Sequence, residues 1–273
     1  MKTALNPTKN GLEEYLLELL GDDRPESRPS KYVQALSGIG IAGIRQFIFH
    51  LLDNQIPSEI VENSYFHPNK FFKLGICRLS NCAKLRLHFW NKNQLEATTP
   101  IHSHAWDFAS MLISGSYRHD LFRVIDLVED DHAKIDECLK SGNAPDHYLG
   151  MYRLAARDSS TGKYRPEWAK NVRVERIDRK IEQQGSIYFL GREFPHQIAI
   201  DLKSVGSMIT LVLASETNRE NLYTLQPIGK PKTFDNPSPN VDERTVRAQL
   251  EIILNEIDQL YPEVKDDWNS YKT

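Results

Sequence analysis

The sequence predicts a mainly β protein, an antiparallel sandwich or barrel with helices added at both ends. Three observations lead there. From Tyr65 to about Ser215, short segments rich in Phe, Leu, Ile, Val and Tyr follow a period of two between turn signals. No helical pattern separates consecutive segments, which disfavours a parallel α/β sheet. On either side of this region the apolar residues recur at helical spacing.

The chain accordingly divides into a helical extension (1–64), a β-barrel (65–225), and a proline-rich connector with a C-terminal helix (226–273). In the extension, Leu12, Tyr15, Leu16, Leu19 and Leu20 share a helical face, and a second helical stretch runs from Tyr32 to Leu52. Gly38, Gly40 and Gly43 argue against one unbroken helix there, and their spacing fits no phosphate loop. Expected strands are 71–77, 84–90, 102–113, 117–128, 148–155, 172–177, 185–190, 196–201 and 208–214. The polar segments 129–145 and 157–170 read as excursions, the first with a short helix. From Val241 to Leu260 a capped amphipathic helix carries Val246, Leu250, Ile253, Ile257 and Leu260 on one stripe, set to pack on the barrel or on a second subunit.

Composition narrows the function classes. At 273 residues and 40% hydrophobic content the chain can bury a full core. Its 34 basic and 37 acidic residues, net −3, are mixed along the chain, so nucleic acid is not an expected partner. No apolar run approaching the ~20 residues of a membrane span is expected, nor a signal peptide, so a cytoplasmic location and no membrane partner are anticipated. Cys77, Cys82 and Cys138 are too few and too irregular for a disulfide framework and read as reduced thiols.

Chemistry concentrates in the histidines. His102 and His104 alternate on an expected strand, so both imidazoles project from one face, where they could share a metal ion. An isolated His-x-His is more simply two surface histidines. The surroundings shift that balance: the segment from Ile101 runs on to Gly115, and Gly185 to Pro195 supplies a turn leading to a third histidine, His196.

At these residues the chain resembles the cupin superfamily. Its first motif is His-x-His, three or four residues, Glu, six residues and Gly, which His102, His104 and Gly115 follow; its second sets a His eleven positions after a Gly, as His196 stands to Gly185. The resemblance spans about 110 residues and implies a double-stranded β-helix, a jelly-roll barrel, with a metal on His102, His104 and His196. The family's Glu falls at Phe108, so the implied site is of the three-histidine kind. Asp107 is adjacent, but strand parity points it away, toward pairing with an arginine or orienting a ligand histidine.

Within cupins the layout from Lys84 to Trp90, through His102 and His104 to Gly115 and Leu121-Phe122, is similar to the thiol dioxygenases, cysteine dioxygenase in particular, which implies Fe(II). The cysteine and tyrosine that this family often crosslinks would lie near Phe108 and Ala214 and are absent.

Further candidates surround the implied metal. Arg86, His88 and Trp90 share one strand face opposite Leu85, Leu87 and Phe89. A buried arginine needs a partner, so Arg86 either pairs with an acid such as Asp107 or Glu193 or meets an anionic substrate. His88 could be a fourth ligand, a general base or a satisfied core histidine, and Tyr188 offers a phenol to orient oxygen or substrate. Trp106 could line the substrate site. Lys73 lies near where the thiol dioxygenases hold a substrate carboxylate. The Arg118-His119-Asp120 run reads as a solvated strand end.

The expected function is a mononuclear non-haem Fe(II) oxygenase or oxidase, acting with O2 on a small polar, carboxylate-bearing molecule. A lyase or isomerase using Zn, Ni or Mn, or a non-catalytic cupin binding protein, are the alternatives. The helical appendages and the family's habit suggest a homodimer.

Overall fold

A computed structural model describes residues 6–21, 24–67, 70–80, 83–91, 97–141, 147–154, 166–201, 206–218, 222–228 and 241–264. Most of the proline-rich connector, most of the 157–170 excursion, Cys82 and the Cys138 side chain lie outside them.

Five α-helices and thirteen strands are described: α1 (Lys9–Leu20), α2 (Arg28–Asp53), α3 (Ser58–Glu62), β1 (Tyr65–His67), β2 (Phe71–Arg78), β3 (Lys84–Trp90), β4 (Ala97–Thr98), β5 (Ile101–His102), β6 (Phe108–Ser114), β7 (Ser116–Asp126), α4 (Glu129–Ser141), β8 (Tyr148–Leu154), β9 (Pro166–Gln183), β10 (Ile187–Leu190), β11 (His196–Ile200), β12 (Met208–Ala214), β13 (Tyr223–Pro227) and α5 (Glu243–Leu260). One sheet has the order β1-β2-β3-β12-β6-β10; the other runs β4-β11-β5-β13-β8-β9-β7, and β11 also pairs with β7. Every pairing is antiparallel. This two-sheet antiparallel arrangement, with a long N-terminal helix and a C-terminal helix, is the mainly β architecture expected from the sequence.

The first sheet separates two environments by strand parity. Its outer side presents Phe72 and Leu74, Leu85, Leu87 and Phe89, Ile209, Leu211 and Leu213, and Ala109, Met111 and Ile113, all buried in one core with the helices. Its inner side carries Lys73 opposite His88, and Arg86 in a cross-strand row with Val212, Ser110 and Tyr188. Alternation along β3 thus sends Leu85, Leu87 and Phe89 to the helices and Arg86, His88 and Trp90 to the space between the sheets.

The helices are shaped to cover that outer side. In α1, the Thr8 hydroxyl caps the first turn by accepting from Gly11 N at 3.1 Å, and Leu12, Leu16 and Leu20 are fully buried at four-residue spacing. Helix α2 turns on Gly40 (φ 59°, ψ −177°), which lets the Tyr32, Leu36 and Ile39 face and the Ile44, Phe47 and Leu51 face both reach the core. In α5, Asp242 accepts from Thr245 N at 2.8 Å, and Val246, Leu250, Ile253 and Ile257 are buried. Each such side chain contributes about 1.5–3 kcal/mol on burial.

Several elements depart from the sequence-based expectation. Leu260 is not on the buried stripe but 39% exposed. The strand expected over 102–113 is broken: β5 ends at His102 and β6 begins at Phe108. Between them, Ser103 N donates to Tyr223 O and Asn218 N to Ala105 O, so the backbone finds partners in a loop. The strand expected over 172–177 runs from Pro166 to Gln183, occupying part of the expected excursion. Strands β1, β4 and β13 were not expected. Against the expectation of no membrane-length apolar run, one helical stretch, Pro25–Asp53, is long and apolar enough by length and composition. Half of its most apolar window is buried inside the molecule, and α2 packs on β6, β10, β12 and α5.

Candidate metal centre

Two strands and a loop bring the histidines together. His196 opens β11 and pairs directly with His102 of β5, while its other neighbour is Leu121 of β7. His104 sits in the loop after β5. That loop is pinned where Ser215 N donates to Asp107 O (2.8 Å) and Asp107 N donates to the Ser215 hydroxyl (3.0 Å). The ring centroids of the three histidines are 4.7–5.0 Å apart, and one ligand atom from each lies within 4.8 Å of the others.

The hydrogen bonds orient the rings for ligation. His102 Nδ1 is 2.8 Å from Pro100 O, so Nδ1–H donates there and Nε2 keeps its lone pair. His196 Nδ1 is 2.8 Å from His119 Nε2, which leaves His196 Nε2 facing His104 Nε2 at 2.9 Å. Burial is the first cause holding all three imidazoles below the usual histidine pKa, so they are neutral donors near pH 7. Two nitrogens sharing one ion in a cis arrangement stand about 2.9–3.4 Å apart for metal–nitrogen bonds of ~2.0–2.1 Å. The His104–His196 pair already has that spacing, and a separation at the 4.8 Å limit of the trio must close by about 1.4–1.9 Å. The donor set therefore fits a transition-metal ion.

His119 belongs to this centre, which corrects the reading of residues 118–120 as a solvated strand end. His119 and Asp120 are 4% and 2% exposed. His119 Nδ1 lies 3.8 Å from Glu182 Oε1, so a carboxylate, His119 and His196 form a chain ending at the ligand position. Burial, first among the causes, brings His119 down to about 4, a neutral ring able to accept the His196 Nδ1 proton. Period-two alternation along β7, which sets Tyr117, His119 and Leu121 on one face, was the signal available in the sequence. Asp120 is held by Arg179 through two bonds of 2.7 and 2.8 Å.

Asp107 is not a ligand. Its carboxylate takes Arg28 Nη1 at 2.7 Å, Arg192 Nη2 at 2.8 Å and Arg192 Nε at 3.1 Å. Arg86 therefore pairs with neither Asp107 nor, among the described residues, any other carboxylate. It is 8% exposed, and its guanidinium lies over the Trp106 ring at 4.8 Å, while Trp106 in turn lies 5.4 Å from the His104 ring. Burial lowers the Arg86 pKa. Lys73 Nζ donates to Tyr65 Oη at 2.8 Å; burial, then the Arg86 charge, lowers its ammonium to about 7.

His88 and Tyr188 lie on the same inner face. The His88 ring is 4.7 Å from Phe71 and edge-on to Trp90 at 5.9 Å, and burial, with Lys73 and Arg86 beside it, holds its pKa well below the usual value. Tyr188 Oη accepts from Tyr117 Oη at 2.8 Å, its ring is 4.9 Å from His119, and burial pushes it up to about 12. His67, which the sequence did not single out, stacks on Phe71 at 4.4 Å and is brought down to about 3 by burial and the charge of Lys73.

No family model matches this chain, and no curated protein matches it. Solved structures overlap it loosely: DMSP lyases (13% identity over 54% of this chain and 47% of that one, TM-score 0.27), oxalate oxidase (11%, 67% and 63%, 0.27), and hydroquinone 1,2-dioxygenase from Sphingomonas sp. TTNP3 with 4-hydroxybenzoate bound (12%, 63% and 74%, 0.29). The chain thus spans about half of the first and under two thirds of the second.

Proposed function

We propose that the protein is a mononuclear non-haem Fe(II) oxygenase or oxidase acting on a small carboxylate-bearing substrate. The observation that carries this reading is the convergence of three neutral imidazoles beside Arg86, a buried cation with no carboxylate partner among the described residues. Fe(II) held by His102, His104 and His196 would supply a cationic centre with about three open positions, enough for a chelating substrate and O2.

The chain's own residues then have distinct tasks. Arg86 binds the substrate carboxylate through its guanidinium, and the Trp106 ring fixes the plane of that group next to His104. Tyr188 keeps its phenolic proton at neutral pH and presents a hydrogen-bond donor at Oη. His88, held neutral by burial and by Lys73 and Arg86 beside it, offers a ring nitrogen as a hydrogen-bond acceptor. Glu182 and His119 hold His196 in the tautomer that leaves Nε2 open. The crosslinked cysteine and tyrosine that a resemblance to thiol dioxygenases would imply near Phe108 and Ala214 are absent from the sequence there, so the substrate need not be a thiol.

The test is O2 uptake by anaerobically Fe(II)-loaded protein with a panel of amino-, hydroxy- and thio-carboxylates. Uptake should require one panel member, vanish in His102→Ala, and show a KM raised about 10–100-fold in Arg86→Met. No O2 uptake with any of them would refute the oxygenase reading, and anaerobic turnover with Zn, Ni or Mn would replace it with a lyase or isomerase.

A further inference from the structure

We propose that the barrel interior is built for a small organic dianion of the dicarboxylate class, held by Arg86 and Lys73 together. The inference rests on the reading above for the position of the metal and deepens it by naming the charge of the substrate.

Lys73 pairs with His88 and Gly75 with Arg86 across β2 and β3, so Lys73 and Arg86 are diagonal neighbours on one sheet face. Diagonal partners stand about 7–8 Å apart at the backbone, within mutual reach of long side chains. Two cations so placed repel each other: burial and then the Arg86 charge bring Lys73 down to about 7, so a bound anion is what keeps both charged near neutral pH. Neither makes an ion pair with a described residue. The buried acids are engaged elsewhere: Asp107 with Arg28 and Arg192, Asp120 with Arg118 and Arg179, Asp131 with Tyr148, and Glu182 beside His119.

Their neighbours offer no carboxylate either. His67 and His88 are neutral, Trp106 meets Arg86 with its ring at 4.8 Å, and Tyr65, a phenol that accepts from Lys73 at 2.8 Å and favours the charged form of Arg86, is the one acidic group beside the two cations among the described residues. Cation–π contact offsets part of the desolvation cost without cancelling charge. One carboxylate would leave one cation uncompensated; a dianion neutralises both.

Calorimetric titration of the metal-loaded protein under anaerobic conditions tests this, with malonate, succinate and glutarate against propionate and butyrate. The tightest dicarboxylate should bind at least about tenfold more tightly than either monocarboxylate. Lys73→Met should reduce that ratio to about two or less while monocarboxylate affinity changes by no more than about threefold. Chelation by the metal could also favour dicarboxylates, so the titration is repeated on His102→Ala/His196→Ala, where the preference should persist. Equal affinities in the parent protein, a preference untouched by Lys73→Met, or one that disappears with the metal ligands would each overturn the inference. Protein that binds no metal yet keeps the preference would remove the oxygenase reading and leave the dianion site standing.

Discussion

His104 Nε2 and His196 Nε2 face each other across 2.9 Å, although the two residues are 92 positions apart in the chain. Without an ion, one of them must donate a proton to the other; with an ion, both lone pairs serve it. Co(II) or Fe(II) added to chelator-treated protein should bind at about one per chain by elemental analysis. Loss of any one ligand to alanine should weaken binding at least about a hundredfold, since two imidazoles remain. Metal at about a hundred times its Kd should also stabilise the parent against urea by about 2.7 kcal/mol. An unchanged urea midpoint with metal present would show that the trio does not bind it.

The His119 contact gives a second, separable prediction. Its Nε2 holds His196 Nδ1 at 2.8 Å without being a ligand. His119→Ala should weaken metal affinity by about 10–100-fold while stoichiometry at saturation stays near one. Competition against a chromophoric chelator measures this, with circular dichroism to show that the barrel remains folded. Loss of stoichiometry would instead make His119 a ligand.

Much of this site was legible because local spacing encodes it. The His102 to Gly115 and Gly185 to His196 intervals need only counting, and parity along Lys84–Trp90 separates the pocket residues Arg86 and His88 from the core residues Leu85 and Leu87. What stayed hidden depends on partners far along the chain. The break after His102 exists because Ser103, Ala105 and Asp107 bond to Tyr223, Asn218 and Ser215. Asp120 looks like a surface charge until Arg179, 59 residues on, neutralises it and lets His119 turn inward. Strand β9 carries so many charges that only its middle reads as a strand, yet most of those side chains face outward along an extended pairing with β7.

Gly40 provides a test of the N-terminal packing. Its φ of 59° with ψ of −177° is open to glycine and strained for other residues, and an added Cβ would meet nothing within 4 Å. Gly40→Ala should therefore destabilise by about 1–3 kcal/mol, entirely through the backbone. In an ordinary helix interior the same change stabilises by about 1 kcal/mol, so the sign alone decides whether α2 turns here. Urea unfolding of the two proteins gives that sign.

Asp107 sets the expected acid behaviour. Burial pushes its carboxyl up, but the hydrogen bonds from Arg192 and Arg28 outweigh this and bring it down to about 2 from an ordinary 3.8. A carboxyl whose folded pKa is depressed adds stability that is fully present above its unfolded value and lost as pH falls through its folded value. The contribution is thus complete above about pH 4 and gone near pH 2, with a size of about 2 kcal/mol. Asp107→Asn removes it at every pH and leaves Arg28 and Arg192 facing each other across one neutral amide oxygen in place of a shared carboxylate. Unfolding free energies of the parent and the variant should differ by about 2–4 kcal/mol at pH 6–7 and converge as pH falls from 4 toward 2. A gap independent of pH would mean that Asp107 acts by shape alone, and that the two arginines are held by other contacts.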